Sequence, residues 1–171
     1  MLPARFVLDI CTFSCHSSIV KQLIDHDLKL MRSKDIRERT PLHTACRCGK
    51  TDVVMIQTQS LSLLLETTST KLLEDTDSMS NTPLHLACVG GSRDAVQLLI
   101  DSGASLNQTN LRGEAPIHIA AQQGFVPIAE LLLANGVDIE CPSGSDECTP
   151  LHHAAKCNQD EMIKFLYEEK W

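Results

Sequence analysis

Aromatic side chains are scarce here: phenylalanine, tyrosine and tryptophan make up 4% of 171 residues, with a single Trp and a single Tyr. The core must therefore be built from small aliphatic groups. Basic residues are also a minority, 15 Lys and Arg against 22 Asp and Glu, which leaves a net charge of −7. That balance argues against nucleic acid as a partner, because neutralising phosphates takes clustered Lys and Arg. No run of 18 apolar residues occurs, so no segment reads as inserting into a membrane. The opening Met1 to Leu8 resembles a secretory leader in its apolarity, but Asp9 interrupts it and no small-residue cleavage site follows. It reads as structure. Also missing are G-x-S-x-G, H-E-x-x-H and any phosphate-cradling glycine loop, since Gly90-Gly91 is explained by helix termination. Asp160 and Glu161 place charge at a helix start, where the dipole favours it. No enzymatic activity, catalytic residue, cofactor or metal is expected.

What the chain does have is one phrase repeated four times. Thr40-Pro41-Leu42-His43-Thr44-Ala45 returns as Thr82-Pro83-Leu84-His85-Leu86-Ala87, Ala115-Pro116-Ile117-His118-Ile119-Ala120 and Thr149-Pro150-Leu151-His152-His153-Ala154, at intervals of 42, 33 and 34 residues. A period of this size means stacked supersecondary units. The phrase is a helix start: Thr is a good N-cap, and proline at the first helical position loses no hydrogen bond. Ala115 has no hydroxyl, so that start should be weaker by about 1 kcal/mol. Gly49, Gly91 and Gly124 stop the short helices, with Asn158 taking the left-handed position in the last unit. Second helices follow at Ala95 to Ile100, Ile128 to Leu133 and Met162 to Tyr167, then a polar finger leads to the next start. Upstream, Ile19 to Ile24 reads as another second helix, with Phe6 to Cys15 as its partner.

With this phrase at this period, the chain resembles the ankyrin-repeat family over nearly its whole length. The resemblance implies an all-α solenoid of about five helix-turn-helix units with short β-hairpin fingers, forming a single domain over 1–171. The units fall at 1–35 (degenerate), 36–77 (extended), 78–110, 111–144 and 145–171 (truncated). The second unit is nine residues longer than the third. Its second helix either gains two turns, which would keep Val54, Leu61 and Leu65 on one stripe, or gives way to a Ser/Thr-rich loop around Glu66 to Thr70. This long unit, with Leu72-Leu73 ahead of Asp77 and the phrase beginning Asn81-Thr82, is also similar to an extended unit in the ankyrin arm of transient receptor potential ankyrin-type cation channels.

Histidines and cysteines read as structural. His43, His85, His118 and His152 recur at one position and are too far apart along a stack to converge on a metal, and the family commonly uses this histidine to tie loops together. His153 and Cys157 lie four apart, but two ligands do not close a zinc site. Cys46 and Cys88 stand where Ala121 and Ala155 stand in other units, as small buried residues. Cys11, Cys15 and Cys48 lack zinc-module spacing. Cys141 and Cys148 flank a finger and could pair or act as a thiol sensor; free thiols in a reducing compartment are the expectation.

Function is then expected on the concave face formed by finger tips and the outer side of each first helix. Those positions are Ile36, Arg37, Arg39, Arg47, Met79, Asn81, Val89, Leu111, Arg112, Glu114, Gln122, Asp146, Glu147 and Lys156, running from basic to acidic along the stack. The resemblance implies a non-catalytic scaffold or adaptor, monomeric on its own, that binds another protein in the cytoplasm or nucleus. The alternative is the cytosolic arm of a larger cation channel, coupling ligand or partner signals to gating.

Overall fold

The computed structural model describes residues 17–61, 72–144 and 146–170. Among them are nine α-helices: α1 Ser17–His26, α2 Pro41–Arg47, α3 Thr51–Leu61, α4 Pro83–Gly90, α5 Arg93–Asp101, α6 Pro116–Gln123, α7 Val126–Ala134, α8 Pro150–Lys156 and α9 Asp160–Lys170. A 3-10 turn, Leu28–Arg32, follows α1. The even-numbered helices from α2 to α8 each begin on the proline of the repeated phrase, behind an N-cap with extended backbone.

The side-chain cap that Thr suggests is made at Thr82, whose Oγ1 accepts the His85 N–H at 3.5 Å, and a second bond is shared by every start. At all four starts the N-cap N–H donates to Nδ1 of the histidine three residues on, at 3.1–3.2 Å. Ala115 keeps this bond at 3.1 Å and lacks only the contact of 2.8–2.9 Å that the Thr40, Thr82 and Thr149 hydroxyls add. The histidine thus carries most of the cap, so losing the hydroxyl at Ala115 leaves the start intact. At the other ends, Gly91 (φ 71°) and Asn158 (φ 54°) take the left-handed conformation that stops the helix.

Two layers result. Helices α2, α4, α6 and α8 pack side by side in that order, as do α1, α3, α5, α7 and α9, and the helices within each pair α2–α3, α4–α5, α6–α7 and α8–α9 touch. Leu42, Leu84 and Ile117 are buried between the layers, with Ala45, Ala87 and Ala120 letting neighbouring helices come close. Leu151 of the last pair is only half-buried. A continuous apolar core runs from Val20 to Val137, and a second cluster built on Ala129, Ala154, Met162 and Leu166 closes the last pair.

One expectation needs adjustment, and two others fall on residues that are not described. The fingers are not β-hairpins: among the described residues there is no strand, only an isolated antiparallel bridge between Ser143 and Cys148. In the long unit α3 continues at least to Leu61, so it is at least two residues longer than α5 or α7. Leu65 and Glu66 to Thr70, which would decide between a longer helix and a loop, lie outside the described residues, as does the helix expected from Phe6 to Cys15.

Candidate partner-binding face

Three fingers share one design. Asp35, Asp77 and Asn110 each stand five residues before a helix-start residue. The Oδ1 of each accepts the backbone N–H groups two and four residues on, from Arg37 and Arg39 (2.8 and 2.9 Å), Met79 and Asn81 (both 2.8 Å), and Arg112 and Glu114 (2.9 and 3.1 Å). The residue three along is left-handed in each, Glu38, Ser80 and Gly113, with φ of 60°, 58° and 72°. A side chain that stands in for a backbone turn explains why no strands are needed. This Asp/Asn spacing is visible in the sequence; treating the fingers as hairpins passes over it.

Fingers are also stapled to one another through the backbone. Ser78 N–H donates to the Arg37 carbonyl (2.9 Å), Leu111 N–H to Met79 (3.0 Å) and Gly144 N–H to Gly113 (3.3 Å). Below them each buried histidine reaches into the following unit: Nε2 of His43 meets the Asn81 carbonyl, that of His85 the Glu114 carbonyl and that of His118 the Cys141 carbonyl, all at 3.0 Å. Since Nδ1 accepts, Nε2 carries the proton and donates. Burial pulls all three imidazoles below their ordinary range, keeping them neutral and able to do both.

On this rigid support the fourteen expected residues divide. Ile36 is fully exposed, and Met79, Val89, Leu111, Arg37, Arg47, Asp146, Glu147 and Lys156 also face solvent. Arg112 is exposed, with its Nε 2.9 Å from Glu114 Oε2. Four depart from the expectation of exposure. Arg39 is half-buried, with Nε and Nη2 on Asp35 Oδ2 at 2.8 and 2.6 Å. Burial would raise the Asp35 carboxyl, yet the Arg39 bonds hold it below its ordinary value. Asn81 is half-buried between Asp77 and Asn110. Glu114 is only 4% exposed, and Gln122 is half-buried beside it.

These last residues form an internal polar chain that sequence spacing could not reveal. Asn110 Nδ2 donates to Asn81 Oδ1 (3.1 Å) and Glu114 Oε2 (3.0 Å), and Gln122 Nε2 donates to Glu114 Oε1 (2.6 Å) and His153 Nδ1 (2.8 Å). His153 Nε2 then meets Ser143 Oγ at 2.6 Å, and Ser143 Oγ donates to the Cys148 carbonyl at 2.9 Å. The His153 ring sits edge-on to His118, with centroids 5.1 Å apart. Burial lowers the His153 pKa and neighbouring His118 lowers it further. At Glu114, burial pushes the pKa up, but the bonds from Asn110 and Gln122 and the charge of Arg112 outweigh it.

Two surface hollows gather the exposed members. One, of about 520 Å³, is lined by Ile36, Arg37, Arg39, Thr44, Arg47 and Cys48. The other, of about 230 Å³, holds Arg112, Glu114, Asp146 and Lys156 around His152 and His153. Met79, Asn81, Val89, Leu111, Gln122 and Glu147 line neither of these two. Cysteine chemistry gains little support. Cys141 and Cys148 are both free, and burial pushes the Cys141 thiol up to about 11, away from thiolate reactivity. Buried Cys88 is pushed up to about 12. Among the described residues no three His, Cys, Asp or Glu side chains are grouped to hold a metal, and no helix is long and apolar enough to cross a membrane.

Comparison with known proteins agrees with this geometry. A family model for ankyrin repeats in three copies matches residues 8–110 and again 103–170. The chain is 39% identical over 67 residues to the NF-kappa-B inhibitor cactus of Drosophila melanogaster, covering 39% of this chain and 13% of that protein. Over 150 residues, 88% of this chain, it is 33% identical to the Transient receptor potential cation channel subfamily A member 1 homolog of Caenorhabditis elegans, of which it covers 9%. The cactus of Drosophila yakuba matches over the same share of this chain and 14% of its own length. The chain thus spans only a small part of each of these relatives.

Proposed function

This chain belongs to the ankyrin-repeat family, and from that premise we propose that it is a non-catalytic scaffold or adaptor whose finger-and-first-helix face binds another protein. One observation carries the reading: the exposed apolar side chains Ile36, Met79, Leu111 and Val89 and the cations Arg37 and Arg47 sit on fingers and helices held still by repeated backbone bonds. Rigid support of this kind reduces the entropy lost on association. Apolar anchors with arginine beside them are what binding hot spots use. Arg39, Asn81, Glu114 and Gln122 belong to this face as its internal framework, and Arg112, Asp146, Glu147 and Lys156 as its far rim. In this reading residues 1–171 form one domain of five units, monomeric on its own, working in the cytoplasm or nucleus without cofactor or metal.

A second reading has its own support. The alignment with the worm channel homolog extends over 88% of the chain, which is compatible with the cytosolic arm of a larger channel, where the same face would serve intramolecular coupling. Apolar runs of about 20 residues elsewhere in the gene product would decide for the channel. The scaffold reading is tested by capturing partners from cell extract on the tagged chain and identifying them by mass spectrometry. Capture should be lost when Leu111 and Val89 are both changed to Ser. Retention of every partner both by that variant and by an Ile36→Ser, Arg37→Glu, Arg47→Glu variant would move the site off this face.

A further inference from the structure

The structure separates the three arginines of the second unit, and the consequence deepens the scaffold reading on which it rests. Arg39 is committed to Asp35, whereas Arg37 and Arg47 make no ion pair within 4 Å among the described residues. They stand on different supports, Arg37 on a finger and Arg47 at the end of α2, yet both line the 520 Å³ hollow. Among the described residues no acidic side chain lines that hollow. Glu38, the neighbour of Arg37, is turned toward Lys34 at 3.6 Å. In a chain of net charge −7, two positive charges are left uncompensated beside an isoleucine that is entirely exposed. Charges farther off than about 8 Å are largely screened at physiological salt, so a ligand here meets the local sign.

The same spot is pre-organised. The Arg37 N–H is held by Asp35 Oδ1 at 2.8 Å and its carbonyl by Ser78 N–H at 2.9 Å, so the backbone beneath Ile36 and Arg37 is fixed on both sides. A partner that covers Ile36 gains the removal of its apolar surface from water without first ordering the finger. We propose that this hollow docks an acidic segment of a partner protein, one that lays an aliphatic or aromatic side chain on Ile36 and carboxylates on Arg37 and Arg47. A nucleic-acid strand is the other polyanion that two arginines attract. It fits less well, because each further phosphate meets a net negative protein and its backbone offers no apolar group to Ile36.

The test selects random peptides of about 12 residues by phage display on the whole chain and measures the winners by fluorescence anisotropy. Enriched peptides should carry Asp or Glu on both sides of an apolar residue. Their affinity should drop about tenfold or more in the Arg37→Glu, Arg47→Glu double variant, several-fold in Ile36→Ser, and remain unchanged in Lys164→Glu, an exposed position on α9 away from this face. Circular dichroism checks folding, and the milder Arg37→Gln, Arg47→Gln pair should weaken binding in the same order. Peptides without acids, binding indifferent to both arginine pairs, or no enrichment at all would overturn the proposal. So would equal binding of an oligothymidine strand. Peptides lost in Lys156→Glu or in the Leu111→Ser, Val89→Ser pair instead would overturn it while leaving the scaffold reading intact.

Discussion

Replacing His85 with alanine should cost far more than the same change at His152, although both sit in the same phrase. His85 is fully buried; its Nδ1 accepts from the Thr82 N–H at 3.1 Å and lies 2.8 Å from the Thr82 hydroxyl, while Nε2 donates to the Glu114 carbonyl at 3.0 Å. Truncation strands a buried N–H and a buried C=O, each costing about 1–3 kcal/mol, so the expected loss is about 2–6 kcal/mol. His152 makes the same two local contacts, at 3.1 and 2.9 Å, but it is exposed, and water can replace the ring. Its loss should be that of a surface cap, about 0.5–1 kcal/mol. The difference isolates the tie between units. Urea unfolding followed by far-ultraviolet circular dichroism measures both, and equal m-values would confirm that the same structure is being lost. Equal losses, or a His85→Ala loss below about 1 kcal/mol, would refute the view that the histidine couples one unit to the next.

Stability should fall on acidification. Burial lowers the pKa of His43, His85 and His118 in the fold, so between the ordinary 6.5 and those depressed values the unfolded chain binds protons that the folded one does not. The unfolding free energy from urea titration should therefore decline as pH drops below about 6.5, by at most about 1.4 kcal/mol per pH unit for each histidine, and a flat profile would contradict this. Arg37→Glu with Arg47→Glu should change the melting temperature little, since neither arginine is ion-paired. Arg39→Ala should cost about 1 kcal/mol by releasing Asp35; thermal melts of the two variants compare them directly. At the left-handed finger position, Ser80→Gly should be neutral to stabilising by up to about 1 kcal/mol. Gly113→Ser should destabilise clearly, because a Cβ there lies 2.6 Å from Gly144 Cα. Calorimetry that ranked these two the other way would argue against the finger geometry.

Much of the architecture follows from local rules that act within a few residues. Thr or Ala before proline, a histidine three residues on and a glycine or Asn158 at the stop specify where each short helix begins and ends, and apolar spacing specifies its buried side. Such features are legible because a cap, a stop and a helical stripe depend only on near neighbours in the chain. The positions of finger tips were legible for the same reason, and Asp35, Asp77 and Asn110 show that even the turn type was written there. What each finger residue does was decided only by packing. Arg37 and Arg39 are two residues apart and identical in chemistry, yet one is left exposed while the guanidinium of the other folds back onto Asp35 Oδ2. Glu114 occupies a finger position expected at the surface but becomes buried, since Asn110, Gln122 and His153 arrive from its own turn and two separate helices to surround it. Contacts between residues 29 to 31 apart, such as Asn81 with Asn110 or Gln122 with His153, depend on how one unit settles on the next, and no local pattern encodes that.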